Sequence, residues 1–375
     1  MLLKTPSRLP AFSLLTAPIL LLAYSLRLLN ITKRSLWFDE AVEYLTAATP
    51  LRQLPQAVIA SNYQPPLHSY LLHAWLQISI QPLWLRYLAV LISMFTLVGV
   101  MKLAFIIFGV RAALIAGLIT AVMPTEIYYA QDVGEYSLLV SALTWSLYFL
   151  YRAMQLRNRW LYWGLWVFFS VTAVYTHYGA AIVVIPLALV TLAVNLRPRR
   201  RKALRQQISV VLVSGLLTLP LLLYFLPAQF RRVSDNVLAY PVRPLSQEAR
   251  LFLQGIGDTF LYNLIGWPIS EIPKSLGLIF LIVIGLLALL TIGNKSKRIY
   301  GWFLAIYIVY FFTVRAGLYA GFGLRYALIF TPLFILITTS VIEQLWQRRL
   351  AGVAIVLLSL IVAVELYALP NPSMS

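Results

Sequence analysis

Two adjacent acids, Asp39 and Glu40, directly follow two aromatics in the stretch Ser35-Leu36-Trp37-Phe38-Asp39-Glu40-Ala41. Trp and Phe favour the boundary between lipid and water, so they would hold these carboxylates at headgroup depth. Ionised groups are costly there and point to function. The structural alternative is a helix start, with Asp39 as cap and Glu40 and Glu43 near the positive helix end. Four more stretches carry polar groups. Asn62-Tyr63-Gln64-Pro65-Pro66-Leu67-His68-Ser69-Tyr70 sets Gln64, His68 and Tyr70 around a corner that Pro65 and Pro66 make rigid. Tyr128-Tyr129-Ala130-Gln131-Asp132-Val133-Gly134-Glu135-Tyr136 brings Asp132, which could face Asp39, and Glu135, which fits a capping role better. Thr176-His177-Tyr178-Gly179 adds a lone histidine at a helix end. Arg315 and the pair Arg325-Tyr326 flank a loop, and arginine suits bidentate binding of phosphate. Carboxylates, arginines and aromatics at one depth suit a substrate with a lipid tail, a phosphate and a polar head. Arginine would neutralise the phosphate, rings would stack on the head, and a carboxylate would take a proton from a nucleophile. Asp39 and Asp132 could also hold a divalent cation through oxygen ligands.

The elements that must position these residues are membrane helices. The 375-residue chain is 61% hydrophobic and 11% charged, far from the composition of a soluble domain. Its net charge is +18. The Lys and Arg residues fall in short clusters between apolar runs, which is membrane topology rather than nucleic-acid binding. Cysteine is absent, which excludes disulfides and thiolate metal sites. Spans are expected at 11–30, 84–108, 111–130, 136–156, 160–177, 179–196, 207–227, 275–293, 299–316, 325–346 and 350–369. That is an all-α polytopic membrane protein of about eleven helices in a single domain. The first helix lacks a small-x-small cleavage site and reads as retained. The segment 67–80 is too short and too polar to span, and reads as interfacial. With 67–80 on the outer surface, the longest basic run (Arg197 to Arg205) falls inside, as the positive-inside rule requires. The N-terminus is then inside and the C-terminus outside. Every acid but Glu343 then lies outside or at an outer helix end, although acids took no part in the assignment. Two outer segments, 31–83 and 228–274, exceed ordinary turns and are expected to carry function. The first holds the candidate acids on short juxtamembrane helices. The second holds an amphipathic stretch, Leu245–Phe260, expected to lie on the membrane surface for acceptor or lipid contact.

In this order and at these spacings, the motifs resemble the GT-C fold glycosyltransferases. The likeness is to family 39 and to bacterial relatives of protein O-mannosyltransferases and lipid A aminoarabinose transferases. It is carried by Leu36-Trp37-Phe38-Asp39-Glu40-Ala41, Gln64-Pro65-Pro66-Leu67, Tyr128-Tyr129-Ala130-Gln131-Asp132, Thr176-His177-Tyr178-Gly179 and Arg325-Tyr326. The resemblance is good over roughly residues 30–180 and thinner beyond. It implies an inverting hexosyl- or pentosyltransferase of the bacterial plasma membrane, working on the outer face. The donor would be a polyprenyl-phosphate sugar and the acceptor a lipid, glycan or protein. Asp39 matches the family's proposed base, Glu40 its neighbour, Asp132 the second acid and Arg325 the arginine that meets the donor phosphate. Gln64, Pro65, Pro66, His68, Tyr70, Tyr136, His177, Tyr178, Arg315 and Tyr326 would line the substrate site, with Mg²⁺ or Mn²⁺ as a candidate cofactor. One departure stands out: relatives place an arginine shortly after the second acid, where this chain has Gly134 and Glu135. Two rivals remain, a non-catalytic binder of polyprenyl lipids and a flippase or transporter. Transporters place ionisable groups near mid-membrane, whereas these acids cluster at helix ends.

Overall fold

Long apolar runs cannot fold around an aqueous core, and in lipid they must satisfy their own backbone hydrogen bonds, so they become helices. The computed structural model describes residues 9–156, 160–196, 201–233, 244–266, 274–290, 293–315 and 324–369. It contains α1 (Leu9–Leu28), α2 (Phe38–Ala47), α3 (Leu54–Ser61), α4 (Leu67–Leu76), α5 (Pro82–Phe108), α6 (Val110–Val122) and α7 (Pro124–Ala130). These are followed by α8 (Tyr136–Gln155), α9 (Trp160–Thr176), α10 (Ala181–Asn195), α11 (Arg201–Pro220), α12 (Leu226–Val233) and α13 (Leu245–Ile265). The chain continues with α14 (Lys274–Leu290), α15 (Asn294–Arg315), α16 (Thr331–Gln347) and α17 (Ala351–Tyr367). No strand occurs among the described residues. A helix stands at every stretch expected to span. By length and apolarity, four described helical stretches can cross a membrane: Pro82–Phe108, Tyr178–Asn195, Leu204–Arg231 and Arg325–Gln347. The pair α6 and α7 makes a fifth if it is one span.

That pair corrects the expected continuous span at 111–130. Pro124 cannot continue a helix, and the chain bends by 59° there. The freed carbonyls are covered by Arg27, fully buried at the end of α1, whose guanidinium donates to Thr120 O (3.1 Å) and Ala121 O (3.2 Å). Arg27 also donates to Ser93 Oγ at 2.8 Å. The helix over Leu245–Phe260 runs on to Ile265, and Leu261, Tyr262, Leu264 and Ile265 are all buried in the main core. Within the amphipathic stretch Phe252, Ile256 and Phe260 pack against that core, while Leu253 is exposed.

The first long segment holds three short helices, α2, α3 and α4. α4 has 10 residues, about 15 Å of helix, half a bilayer's thickness. It is pinned to α5 by Trp75 and Trp84, which stack at 4.4 Å and exchange indole-to-carbonyl hydrogen bonds.

Different groups gather at the two ends of the bundle. At one end Arg111 lies over Trp346 (4.6 Å) and beside Glu343 (4.0 Å), Arg298 over Tyr151, and Arg152 over Tyr162. The opposite end collects the turn after α1, helices α2 to α4, the α7–α8 and α9–α10 junctions and the start of α16.

Candidate active site

The first acid pair splits between two roles. Trp37, not Asp39, is the N-cap residue of α2. Glu40 turns inward, 2% exposed, and its carboxylate is filled. Oε1 accepts from Arg86 Nε (3.0 Å) and Val133 N–H (3.0 Å); Oε2 accepts from Arg86 Nη2 (2.9 Å) and Trp37 N–H (3.1 Å). A carboxylate with four donors has no lone pair left for an incoming proton, so Glu40 belongs to the frame and not to the reacting groups. Arg86 completes that frame by donating to the carbonyls of Ile31, Arg34 and Ser35. The sequence reading missed Arg86 because a lone arginine at the head of an apolar run looks like a snorkelling one. The signal lay in its position, one turn inside a span that otherwise lacks charge near its start.

Asp39 instead faces solvent, with its side chain 47% exposed, and receives Arg325 Nη1 at 2.8 Å. Residues 286 positions apart thus meet at one point. Asp132 is buried and accepts from Trp37 Nε1 at 2.8 Å. It does not cap α8, and Glu135 sits at that N-cap position without a side-chain cap bond. A Cβ at Gly134 would lie 2.6 Å from Asp132 Oδ2, so any side chain there would push that carboxylate aside.

Aromatic contacts join the remaining corners. Tyr128 meets Tyr129 edge-on at 5.1 Å, Tyr129 meets Tyr136 at 4.9 Å, Tyr136 meets His177 at 5.9 Å, and His177 meets Tyr326 at 6.0 Å. Arg325 lies over Tyr326 at 5.9 Å, and Arg34 lies over Tyr128 at 4.9 Å. The sequence candidates Asp39, Tyr136, His177, Arg325 and Tyr326 therefore share one circuit of contacts, and Asp132 is held beside it by Trp37.

Others support it from outside. His68 Nδ1 bonds Glu43 Oε1 at 2.7 Å, while Ser69 and Asn62 donate to the same carboxylate. Tyr178 donates to Gln229 Oε1 (2.6 Å), and Gln229 donates on to the carbonyls of Asn62 and Gln64. Gln229 was not a sequence candidate. Pro65 and Pro66 are buried at the start of α4, and Tyr70 packs against the cluster of Leu54, Val58, Leu221 and Phe225. Gln64 keeps a buried side-chain Oε1 without a partner. Arg315 closes α15, and the neighbouring loop of residues 316–323 lies outside the described residues.

Electrostatics set the protonation states. Burial raises the Asp132 pKa to about 7, helped by the charge of Glu40 and opposed by the Trp37 hydrogen bond and by Arg34 and His68. Burial, and then the charge of Glu43, raises Glu135 to about 7 as well. Burial works against a charged His68, but its hydrogen bond to Glu43 and the nearby acids prevail, and its pKa is raised. Burial, then the charge of Arg325, lowers His177 to about 3, so that imidazole is neutral. Carboxylates raised in the folded state hold protons that the unfolded chain has lost, so stability falls as pH rises from the unfolded value near 4 through about 7. The Asp132→Asn variant should flatten part of that decline. Thermal unfolding in detergent between pH 5 and pH 8, compared with wild type, measures it; parallel curves would refute the assigned shift.

Two carboxylates, one of them paired with an arginine, do not make a cation site. Among the described residues no group of three or more His, Asp or Glu side chains could hold a metal ion. Asp39 and Asp132 alone do not fit a resident cation, and no step below runs through one.

This arrangement of helices is found in known structures. The chain matches ArnT from Cupriavidus metallidurans in the apo state, with a TM-score of 0.59 and 15% identity, over 93% of this chain and 64% of that one. The same protein bound to undecaprenyl phosphate matches at 0.55 and 16%, over 92% and 63%. The Archaeoglobus fulgidus oligosaccharyltransferase, in a complex with Zn and sulfate, matches at 0.55 and 16%, over 95% and 53%. The fold is GT-C. This chain spans between about half and two thirds of the length of those proteins. Residues 63–226 match the family model of dolichyl-phosphate-mannose-protein mannosyltransferases. The matched segment holds the GT-C corners from Gln64 through Asp132 to Tyr178, and leaves Asp39 and Arg325 outside it. No curated protein sequence matches the chain.

Proposed function

We propose that the protein is an inverting glycosyltransferase that moves a sugar from a polyprenyl-phosphate carrier to a hydroxyl-bearing acceptor. The observation that carries this is the Asp39–Arg325 pair at 2.8 Å. It places an accessible base beside a cation suited to phosphate, on a fold shared with a protein solved with undecaprenyl phosphate. At rest each group occupies the other. The carrier phosphate competes for Arg325 and leaves the Asp39 carboxylate free to accept a proton. The acceptor oxygen then bonds to the anomeric carbon while its proton passes to Asp39. The bond from that carbon to the phosphate oxygen breaks, and the carrier leaves as a phosphate monoester. Attack opposite the leaving group inverts the anomeric centre. Half-buried Tyr326 offers a ring face to the sugar, with the buried rings of His177 and Tyr136 packed behind it. Any divalent cation, such as the zinc of the archaeal structure, would have to draw most of its ligands from bound phosphate.

The site belongs on the non-cytoplasmic face of the plasma membrane. The positive-inside rule supports this orientation, because Arg111, Arg152 and Arg298 at the far end fall in the basic segments expected inside. Whole-chain activity is tested by transfer from a panel of radiolabelled polyprenyl-phosphate sugars in proteoliposomes. Transfer from one donor identifies the sugar. Binding of the carrier without transfer from any donor, across lipid, glycan and peptide acceptors, would favour a non-catalytic carrier-binding protein.

A further inference from the structure

The reading above gives the carrier phosphate one arginine, Arg325, and at rest Asp39 holds it. A second guanidinium lies on the same circuit of contacts. Arg34 follows the end of α1 by six positions, just past a left-handed turn at Asn30 (φ 62°). Its main-chain carbonyl accepts from Arg86 at 2.9 Å, so the root of the side chain is fixed by the frame. The half-buried side chain carries its guanidinium 4.9 Å over the Tyr128 ring. No carboxylate pairs with it among the described residues. Asp132 is close enough for the two charges to interact, but its Oδ1 is turned to Trp37.

A bland account exists. An arginine at the membrane boundary can rest on an aromatic and do nothing else. Three observations go further. The root of this arginine is anchored rather than free. It stands at the end of a membrane helix, the depth at which a lipid phosphate lies. Glu40 and Asp39 already have their own cations, Arg86 and Arg325, whereas Arg34 holds no carboxylate in an ion pair among the described residues. A phosphate entering among these carboxylates needs a further cation. The guanidinium also hydrogen-bonds the Tyr128 side chain, which leaves its other N–H groups for that purpose.

We propose that Arg34 is a phosphate-binding residue of this site, receiving the phosphate of the lipid carrier alongside Arg325. The assignment rests on the glycosyltransferase reading and adds a reason for two cations. The donor is a phosphodiester with one negative charge. When the bond to the anomeric carbon breaks, its electron pair stays on the phosphate oxygen, and the departing monoester carries a second charge. Arg325 and Arg34 together can hold both, where either alone leaves one uncompensated.

Binding to the purified full-length protein tests this without knowledge of the sugar. The probes are undecaprenyl phosphate, undecaprenol and inorganic phosphate. Wild type should bind undecaprenyl phosphate in preference to undecaprenol. Arg34→Gln should weaken that preference about tenfold or more, and Arg34→Lys by less, since a charge remains without the planar fork. Neither variant should lower the melting temperature, because the frame uses only the main chain of Arg34. Equal binding of undecaprenyl phosphate by wild type and Arg34→Gln would overturn the role of Arg34 and leave the function standing. Equal binding of undecaprenyl phosphate and undecaprenol by wild type would overturn the carrier-phosphate reading itself. Inorganic phosphate bound as well as the lipid, and lost in Arg34→Gln, would reassign the site to a free phosphate.

Discussion

The Asp39→Asn variant is expected to lose sugar transfer by ~10²–10⁴-fold, the usual contribution of a positioned general base, while still binding the carrier. The direction of the second effect follows from the ion pair. In the wild type, Arg325 is held by Asp39 at 2.8 Å, and an incoming phosphate must displace that carboxylate. An asparagine cannot neutralise Arg325, so the phosphate meets a cation without a competing charge. Undecaprenyl phosphate should therefore bind the variant as tightly as wild type, or more tightly. Transfer in proteoliposomes and binding in detergent, on the same preparations, separate the alternatives. Retained transfer would remove Asp39 from the mechanism. Parallel loss of transfer and carrier binding would make it a positioning residue for Arg325 rather than the base. The folded state should survive the change, since the side chain is half exposed and makes no frame contact.

The motifs legible in the sequence were those whose residue types are unusual for their surroundings. Asp39, Asp132, His177 and Arg325 are polar residues at the ends of apolar helices, and such positions can be read from one sequence because charge there is costly. Their convergence is not legible, because it depends on how the helices pack across hundreds of residues. The local alternative to function was a helix cap at Asp39, and it failed there for a tertiary reason. Trp37 takes the cap position of α2, and its indole holds Asp132 across the site. Glu40 reversed the other way. It looked like part of the chemistry and is instead the keystone of the loop, because its partner Arg86 lies 46 positions away. The α6–α7 break was signalled by Pro124, but a proline in a membrane helix is often tolerated, and only Arg27 shows how its freed carbonyls are satisfied. Composition fixes none of these pairings. It fixes the class of solvent, and from that the helices.

The Glu40–Arg86 pair makes the second large effect. Both groups are almost wholly buried, at 2% and 1% exposure. Two opposed charges in such a place need not add net stability, but removing one strands the other in a medium that cannot solvate it. Arg86→Met should therefore cost about 3–5 kcal/mol and lower the melting temperature by roughly 5–10 °C. The loss has a second part, because Arg86 also covers the carbonyls of Ile31, Arg34 and Ser35. With these uncovered, the turn that carries Arg34, Trp37 and Asp39 loses its anchor, and transfer should disappear even where the helices remain folded. The double variant Glu40→Gln with Arg86→Met distinguishes the two parts. Neutralising the stranded carboxylate should recover part of the melting temperature and none of the transfer. If instead the double variant regained transfer, the pair would act only through charge balance. If Arg86→Met melted like wild type, the loop would be held by something other than this arginine, and the placement of Asp39 would need another explanation.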